Sequence, residues 1–268
     1  MTYPPVTRPL PRILGIVNVT PDSFSDGGRF LGAEAAVARG RACFEEGAHA
    51  VDIGGESTRP GAAPVDPEEE LRRVLPVVRV LAREGSVSVD TRRASVARAV
   101  LDAGATTIND VSGGRDPAML PLLSEAGCDV ILMHMRGEPA TMQEHATYVD
   151  PVREVWEELG ASVARAMQAG VDPARITWDP GFGFAKRPEH NVALLRALPA
   201  YTRARSVLVG ASRKRFIGVL TGQDRAEERL EGSLAVALHA ADSGVAWVRV
   251  HDVAATARAF AVWKAVRA

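Results

Sequence analysis

The sequence lacks several features that would place it in a particular class of protein. Its formal net charge is -1, with 32 basic and 33 acidic side chains, so it has no one-signed charge that would favour nucleic acid or a membrane surface. Its two cysteines, Cys43 and Cys128, are too few for a disulfide framework and do not have metal-site spacing. No apolar run reaches the roughly 20 residues that span a bilayer, and no signal-peptide pattern is present. We therefore expect a cytoplasmic protein that binds neither nucleic acid nor membrane.

What the sequence does contain is a regular alternation of short β-branched runs with longer amphipathic segments, which is typical of βα units. The predicted strands are 13–20, 49–56, 86–91, 106–111, 129–134, 175–181, 206–211 and 247–252. The predicted helices are 33–47, 67–82, 95–103, 116–126, 149–170, 190–197, 226–243 and 254–266.

Eight such units predict a (β/α)8 TIM barrel. The chain has 268 residues, close to the usual length of about 250 for this fold, and 46% of its residues are hydrophobic. We expect one domain over 1–268, with 1–12 as an N-terminal extension; an open doubly wound sheet is the alternative. The long connections that follow strands, 21–32, 57–66, 136–147 and 182–188, are rich in glycine and proline. In a barrel they all emerge at the carboxyl ends of the strands, which is where the active sites of this fold lie.

Polar side chains accumulate toward the ends of these strands, although barrel lumens are normally apolar. They are Asn18, Glu56, Asp90, Asn109, Asp110, His134, Asp179, Arg249, His251 and Asp252. Because side chains alternate along a strand, three pairs should point toward the barrel axis. These pairs are Ser88 with Asp90, Thr177 with Asp179, and Arg249 with His251. The sequence therefore predicts carboxylates, an amide and cations around one cavity.

Some of these positions have a plain structural explanation. Asp110 and Asp252 suit helix caps or loop anchors as well as a site, and His134, between two methionines, favours a buried structural role. Asn18 favours a functional role because an elaborate loop, TPDSFSDGG, follows it.

Lysine is scarce, and only Lys186, Lys214 and Lys264 occur. The first two follow the sixth and seventh predicted strands. In GASRKR, Ser212 is predicted to open a short helix whose free N–H groups receive an anion.

These residues lie in segments that together resemble the dihydropteroate synthase family along essentially the whole chain. The segments are LGIVNVTPDSFSDGG (14–28), DIGGESTRPGA (52–62), SVDT (88–91), INDVSGG (108–114), LMHMRG (132–137), DPGFGF (179–184), GASRKR (210–215) and RVHDV (249–253). They occur in the order of the family. Ala185 departs from the pattern, because members often have glycine before the lysine, and this puts the local backbone geometry in doubt.

The resemblance implies condensation of 6-hydroxymethyl-7,8-dihydropterin pyrophosphate with 4-aminobenzoate to give 7,8-dihydropteroate and pyrophosphate, assisted by Mg²⁺. The reaction is expected to be dissociative, without a strong general base. The family is usually a homodimer formed through its outer helices and is the target of sulfonamides.

The resemblance also implies roles for individual residues. Asp179 would accept two adjacent N–H donors of the pterin, since a carboxylate can bind such an edge in a bidentate way. The expected pterin pocket also contains Asp90, Asn109, Phe184 and Lys214. The expected diphosphate site contains Arg249, His251, Thr58 and Arg59, with Asn18 as a hard oxygen ligand to Mg²⁺. The expected aminobenzoate site contains Phe24, Pro60, Ser212 and Arg213. The expected catalytic set is Asn18, Asp90, Lys214, Arg249 and His251.

Two other functions fit parts of the pattern. A pterin-binding methyltransferase barrel would share the pterin pocket but gives no reason for TPDSFSDGG, STRPGA and SRKR together. A non-catalytic pterin-binding paralogue would not need the residues assigned to the leaving group. Segments 22–31 and 57–64 are further predicted to be two lids that order only after the pterin diphosphate and Mg²⁺ have bound.

Overall fold

Within the residues that the computed structural model describes, 9–19, 29–58 and 61–267, eight parallel strands form a closed barrel. Each strand pairs with the next along the chain, and the last pairs with the first. The strands are β1 Arg12–Asn18, β2 Ala50–Gly54, β3 Val87–Asp90, β4 Thr107–Asp110, β5 Asp129–Met133, β6 Ile176–Asp179, β7 Ser206–Val209 and β8 Trp247–Val250. The predicted TIM barrel and its eight strands are confirmed, and each strand ends one or two residues earlier than predicted, since the chain there turns into the loops.

The barrel is surrounded by α-helices, of which the described residues contain nine. They are α1 Arg29–Glu45, α2 Pro67–Leu81, α3 Ala94–Asp102, α4 Met119–Ala126, α5 Pro151–Gln168, α6 Pro188–Tyr201, α7 Arg215–Thr221, α8 Leu230–Asp242 and α9 Val253–Arg267. Helix α7 has only seven residues, too few to show a helical period, and the short helix predicted to open at Ser212 begins three residues later, at Arg215. In the described part of the chain, none of the helices has the length and apolarity needed to cross a membrane.

Two helices begin at an Asp-Pro pair, which explains where they start. The Asp66 carboxylate accepts a hydrogen bond from the backbone N–H of Glu68 at 2.9 Å, and Asp150 accepts from Val152 and Arg153 at 3.1 Å each. The proline that follows each aspartate has no N–H to satisfy and a φ already suited to a first turn. Both helices therefore start at a fixed residue after a long loop.

Alternation along the strands separates two kinds of interior. The outward-facing side chains, such as Val51 and Ile53, are fully buried against the helices and form the main core. The inward-facing side chains form a small apolar cluster at the amino-terminal side of the lumen, made of Leu14, Ala50, Ile131, Leu208 and Trp247. The next inward position on β2 is Asp52 and on β8 is Arg249. The lumen thus has an apolar floor with a polar layer above it.

Gly15 allows β1 to pack closely against two helices. A Cβ at this position would lie 2.9 Å from Cys43 Sγ and 3.2 Å from Val253 Cγ2, on α1 and α9. Gly15→Ala should therefore lower the free energy of unfolding by about 1–3 kcal/mol, the usual cost of overpacking a core.

Urea denaturation measures this effect, and Gly32→Ala is the matched control. Among the residues that the structure describes, none has an atom within 4 Å of a Cβ built on Gly32. Because alanine is also favoured inside a helix, the control should gain roughly 0.5–1 kcal/mol. Equal stability of Gly15→Ala and the wild type would contradict the close packing of β1.

Candidate active site

The polar layer of the lumen is organised around Arg249, which lies on β8 and is partly buried between two carboxylates. Its Nε donates to Asp52 Oδ2 at 2.5 Å, and its Nη2 donates to Asp90 Oδ2 at 3.2 Å. Asp52 also accepts hydrogen bonds from Ser88 Oγ at 2.6 Å and Asn109 Nδ2 at 3.0 Å. These contacts confirm the inward positions predicted for Ser88, Asp90 and Arg249.

Asp52 was not among the predicted site residues, although its side chain is completely buried at the centre of the layer. It lies in the middle of β2, whereas the prediction considered polar residues at strand ends. The alternation rule would have found it, because Asp52 shares the inner face of its strand with Ala50 and Gly54.

Asp90 and Asn109 present acceptors to the cavity above this layer. Burial raises the pKa of the Asp90 carboxyl, the Arg249 cation lowers it, and the Asp52 carboxylate raises it further. The Asn109 amide donates to Asp52 through Nδ2, and its buried Oδ1 has no hydrogen-bond partner among the described residues. An unpaired buried acceptor is costly, so this oxygen is suited to an N–H of a ligand.

Asp179 and Lys214 form the opposite wall of the cavity. Asp179, at the end of β6, accepts a hydrogen bond from Gly181 N at 2.8 Å through Oδ1, and burial raises its pKa. Lys214 Nζ donates to the carbonyl of Phe182 and lies 4.5 Å from the centre of the Phe184 ring. Burial lowers the pKa of Lys214 to about 8. Thr177 bonds to Ser206 at 3.0 Å within the lumen, which confirms the inward face of β6.

The segment after Asp179 approaches its neighbours so closely that two positions require glycine. Gly181 has a φ of +69°, and a Cβ there would lie 2.0 Å from the His134 carbonyl oxygen. Gly183 has a φ of +81°, and its Cβ would lie 3.1 Å from Lys214 Cδ. Ala185 also adopts a left-handed conformation, with φ 48°, while its side chain is buried. An alanine here bears about 1–2 kcal/mol of steric cost, which is why glycine suits this position of the family pattern.

A buried hydrogen-bonded chain supports this segment from behind. His134 Nε2 lies 3.0 Å from Glu158 Oε2, and Lys186 Nζ lies 2.9 Å from His134 Nδ1 and 2.9 Å from the Phe184 carbonyl oxygen. Since Glu158 can only accept, Nε2 carries the proton and Nδ1 accepts from the lysine. Burial lowers the pKa of His134 to about 4 and that of Lys186 to about 7. The structural role favoured for His134 is confirmed.

Around the seventh and eighth strands the structure corrects one prediction. Helix α7 begins at Arg215, so Ser212 does not open it. The Ser212 hydroxyl instead accepts from the backbone N–H of His251 at 3.2 Å and lies 3.1 Å from His251 Nδ1. The backbone at Arg213 is left-handed, with a φ of 58°. The Arg213 guanidinium pairs with the Asp252 carboxylate, with Nε 2.9 Å from Oδ2. Asp252 is therefore a loop anchor.

Asp110 and Glu56 also anchor loops rather than line the cavity. Asp110 accepts from Ser112 N and Gly114 N at 2.8 Å each. Glu56 lies outside the lumen, where it accepts from Arg92 Nε at 3.1 Å and Arg93 Nη1 at 3.0 Å, and from the backbone of Val65 at 2.9 Å. Glu56 thus ties both ends of the β2–α2 loop to the strand that follows it.

Two further predicted residues, Asn18 and Thr58, lie at or after the carboxyl ends of strands, at the mouth of the barrel. Asn18 is the last residue of β1 and is half-buried, and a Cβ on the neighbouring Gly54 would lie 3.8 Å from its Oδ1. Thr58 is half-buried in the loop after β2. Phe24, Arg59 and Pro60 lie outside the described residues, as do most of segment 22–31 and part of segment 57–64.

Comparisons with known proteins agree on one family. A family model described as pterin binding enzyme matches residues 14–251. The dihydropteroate synthase of Mycobacterium leprae is 50% identical over 260 residues, which cover 94% of this chain and 92% of that protein.

Two solved structures of Xanthomonas albilineans dihydropteroate synthase are also similar. The structure with 4-aminobenzoic acid has a TM-score of 0.92 and 50% identity, and the match covers 97% of this chain and 94% of that one. The structure in complex with 7,8-dihydropteroate has a TM-score of 0.88 and 47% identity, covering 98% and 96%.

The buried Lys186 should make stability depend on pH. Its pKa of about 7 in the folded state lies below the ordinary lysine value of 10.5, so the unfolded chain binds more protons between these two pH values. This group therefore adds stability as the pH rises from about 7 toward 10.5, by up to about 1.4 kcal/mol per pH unit.

Lys186→Met should remove that contribution, so its free energy of unfolding should rise less with pH than that of the wild type. Urea denaturation at several pH values between 7 and 9.5 checks this, with Lys264→Met on α9 as the control. Parallel pH dependences of wild type and Lys186→Met would contradict the lowered pKa.

Proposed function

We propose a role in the reaction for each site residue of this chain, which belongs to the pterin binding enzyme family as a dihydropteroate synthase. It condenses 6-hydroxymethyl-7,8-dihydropterin pyrophosphate with 4-aminobenzoate and releases pyrophosphate. The observation that carries the proposal is the polar layer of the lumen, where acceptors for a heterocycle lie beside a partly buried guanidinium for an anion. The same cavity can therefore hold both halves of the first substrate.

The pterin is proposed to bind between Asp179 and Asn109. Asp179 Oδ1 is held by the N–H of Gly181, which fixes the carboxylate toward the cavity, where it can accept the paired N–H donors of the 2-amino-4-oxo edge. The unpartnered Oδ1 of Asn109 accepts a further N–H. Lys214 and the Phe184 ring lie beside the heterocycle. Because every polar edge of the ring has a partner, an analogue that lacks one leaves buried groups unpaired and is rejected.

The diphosphate is assigned to Arg249 and His251. Asp52 and Asp90 hold the guanidinium before any ligand arrives, so little reorganisation is needed when the leaving group gains charge. His251 is oriented by its contact with Ser212. Thr58 and Arg59 would approach the same phosphates from the β2–α2 loop.

The reaction begins with cleavage of the bond between the pterin methylene and the diphosphate oxygen, whose electron pair leaves with pyrophosphate. The lone pair of the aminobenzoate nitrogen then forms the new C–N bond, and that nitrogen loses a proton to solvent. An aromatic amine needs no deprotonation before it attacks, so the site requires no strong base. The residues therefore act by positioning and by stabilising charge.

Mg²⁺ is proposed to be held by Asn18. Its amide oxygen is a hard, uncharged ligand at the mouth of the barrel, which fits an ion that keeps several waters and takes its other oxygens from substrate phosphates. The described residues contain no cluster of three or more His, Cys, Asp or Glu side chains suited to a metal. When bound, the ion would neutralise charge on the diphosphate.

The aminobenzoate is proposed to bind last, with its ring between Phe24 and Pro60 and its carboxylate near Ser212 and Arg213. A sulfonamide would bind there as a mimic of the same shape. We also propose a cytoplasmic homodimer formed through the outer helices. Support for the dimer comes from α7 and α9, which expose Val219, Leu220, Val262 and Val266.

A pyrophosphate-release assay tests the function. Release should require both the pterin pyrophosphate and 4-aminobenzoate, with 7,8-dihydropteroate formed in equal amount. Binding of pterin without release would instead support a non-catalytic paralogue. Methyl transfer from a methylated pterin to a corrinoid would support the methyltransferase.

Asp179→Asn tests the pterin assignment. The change replaces one acceptor oxygen by a donor that faces a donor, and it should cost about 2–5 kcal/mol of pterin affinity, the scale for breaking a buried charged hydrogen-bond pair. Isothermal titration calorimetry measures this, and an unchanged affinity would show that Asp179 does not bind the pterin edge.

Arg249→Ala and His251→Ala test the diphosphate assignment. Each variant should weaken binding of the pyrophosphorylated pterin more than tenfold beyond its effect on bare 6-hydroxymethyl-7,8-dihydropterin, since a charge-assisted hydrogen bond contributes roughly 1.5–3 kcal/mol. Calorimetry with both ligands gives the ratio. Equal losses for the two ligands would contradict the assignment.

A further inference from the structure

Asp52 occupies a position that the reaction itself does not explain. Its side chain is completely buried at the centre of the polar layer, so no part of it is accessible to a ligand. Yet both of its oxygens are used: Oδ1 accepts from Ser88, and Oδ2 accepts from both Asn109 and Arg249. One buried carboxylate therefore joins a residue assigned to the pterin and a residue assigned to the diphosphate.

The bond to Asn109 decides which end of its amide faces the ligand. An amide side chain has an acceptor end and a donor end of nearly equal size, so shape alone does not choose between the two orientations. A carboxylate can only accept, so Asp52 binds the NH2 end at 3.0 Å and leaves Oδ1 buried, without a partner among the described residues and able to accept an N–H of a ligand. Without Asp52, an Asn109 turned by 180° would present a donor to a substrate N–H.

We infer that Asp52 is a positioning residue that sets the ligand specificity of Asn109, by fixing its amide so that the pocket offers an acceptor at that point. This inference rests on the proposed contact between Asn109 and the pterin. Asp52 acts through Asn109, so its effect on pterin binding should disappear when the amide is absent. If Asp52 only supported the barrel, its substitution would weaken pterin binding equally with Asn109 present or replaced.

A double-mutant cycle with Asp52→Val and Asn109→Ala tests the inference. Bare 6-hydroxymethyl-7,8-dihydropterin is the ligand, because it lacks the diphosphate through which Arg249 would contribute, and calorimetry gives the affinity. Asp52→Val should weaken binding about tenfold or more when Asn109 is present, and less than about twofold in the Asn109→Ala background. If the valine variant does not unfold cooperatively, Asp52→Thr replaces it. The threonine side chain is shorter than that of aspartate, but its hydroxyl keeps a polar group beside Ser88.

Two matched controls separate positioning from support of the fold. Ser88→Ala removes the other hydrogen bond to Asp52, and it should lower the melting temperature while leaving pterin affinity within about twofold. Asp52→Asn keeps an oxygen for Asn109 if the Ser88 hydroxyl turns to accept, and it should retain affinity within about threefold.

An equal loss in both backgrounds, or no loss on Asp52→Val, would overturn the inference alone. If Asn109→Ala bound the pterin as tightly as the wild type does, the assignment of Asn109 to the pterin would be wrong, and so would the role inferred for Asp52.

Discussion

The guanidinium of Arg249, held between two carboxylates, is the group on which the rest of the lumen depends. Its two carboxylate partners, Asp52 and Asp90, come from β2 and β3, while Arg249 lies on β8. They meet only because β8 pairs with β1 and closes the barrel. A buried charge without such partners would be strongly destabilising, so closure of the sheet and assembly of the site support one another. Burial raises the pKa of Asp90, and the Asp52 carboxylate that faces the same arginine adds to this, although the Arg249 cation lowers it.

The apolar floor beneath this layer directs the chemistry to one end of the barrel. Leu14, Ile131 and Leu208 fill the lumen on its amino-terminal side, so the polar groups above them can receive a ligand only from the carboxyl ends of the strands. The long loops also leave the barrel at this end, and Glu56 anchors the β2–α2 loop. On the far wall, Gly181 approaches the His134 carbonyl closely and so fixes the segment that carries Phe184, whose ring lies beside Lys214 of the β7–α7 loop. The site is thus supported from below and from the side by groups that do not meet the substrate.

Much of this arrangement could be predicted from sequence, because the period of a strand fixes which side chains share a face. That rule placed Ser88, Asp90, Thr177, Asp179 and Arg249 inside the barrel, and all of them lie there. The period of a strand does not predict ion pairs between residues far apart in sequence. Arg213 pairs with Asp252, 39 residues away, and Arg92 and Arg93 bind Glu56 outside the lumen. Asp52 was overlooked because it lies in mid-strand. The start of α7 was misplaced because the turn at Arg213, with positive φ, delays the helix to Arg215.

The contacts among Asp52, Asn109 and Arg249 require no ligand, so the polar layer should be organised before the substrate arrives. Crystal structures of the protein without ligand and with a bound pterin, both at a resolution that distinguishes side-chain rotamers, would show whether it is. In both structures Asp52, Asn109 and Arg249 should keep their rotamers and mutual hydrogen bonds, with shifts below about 0.5 Å, the tolerance expected of a preorganised site. A ligand-free structure in which Arg249 has left the two carboxylates, or in which Asn109 no longer donates to Asp52, would contradict it.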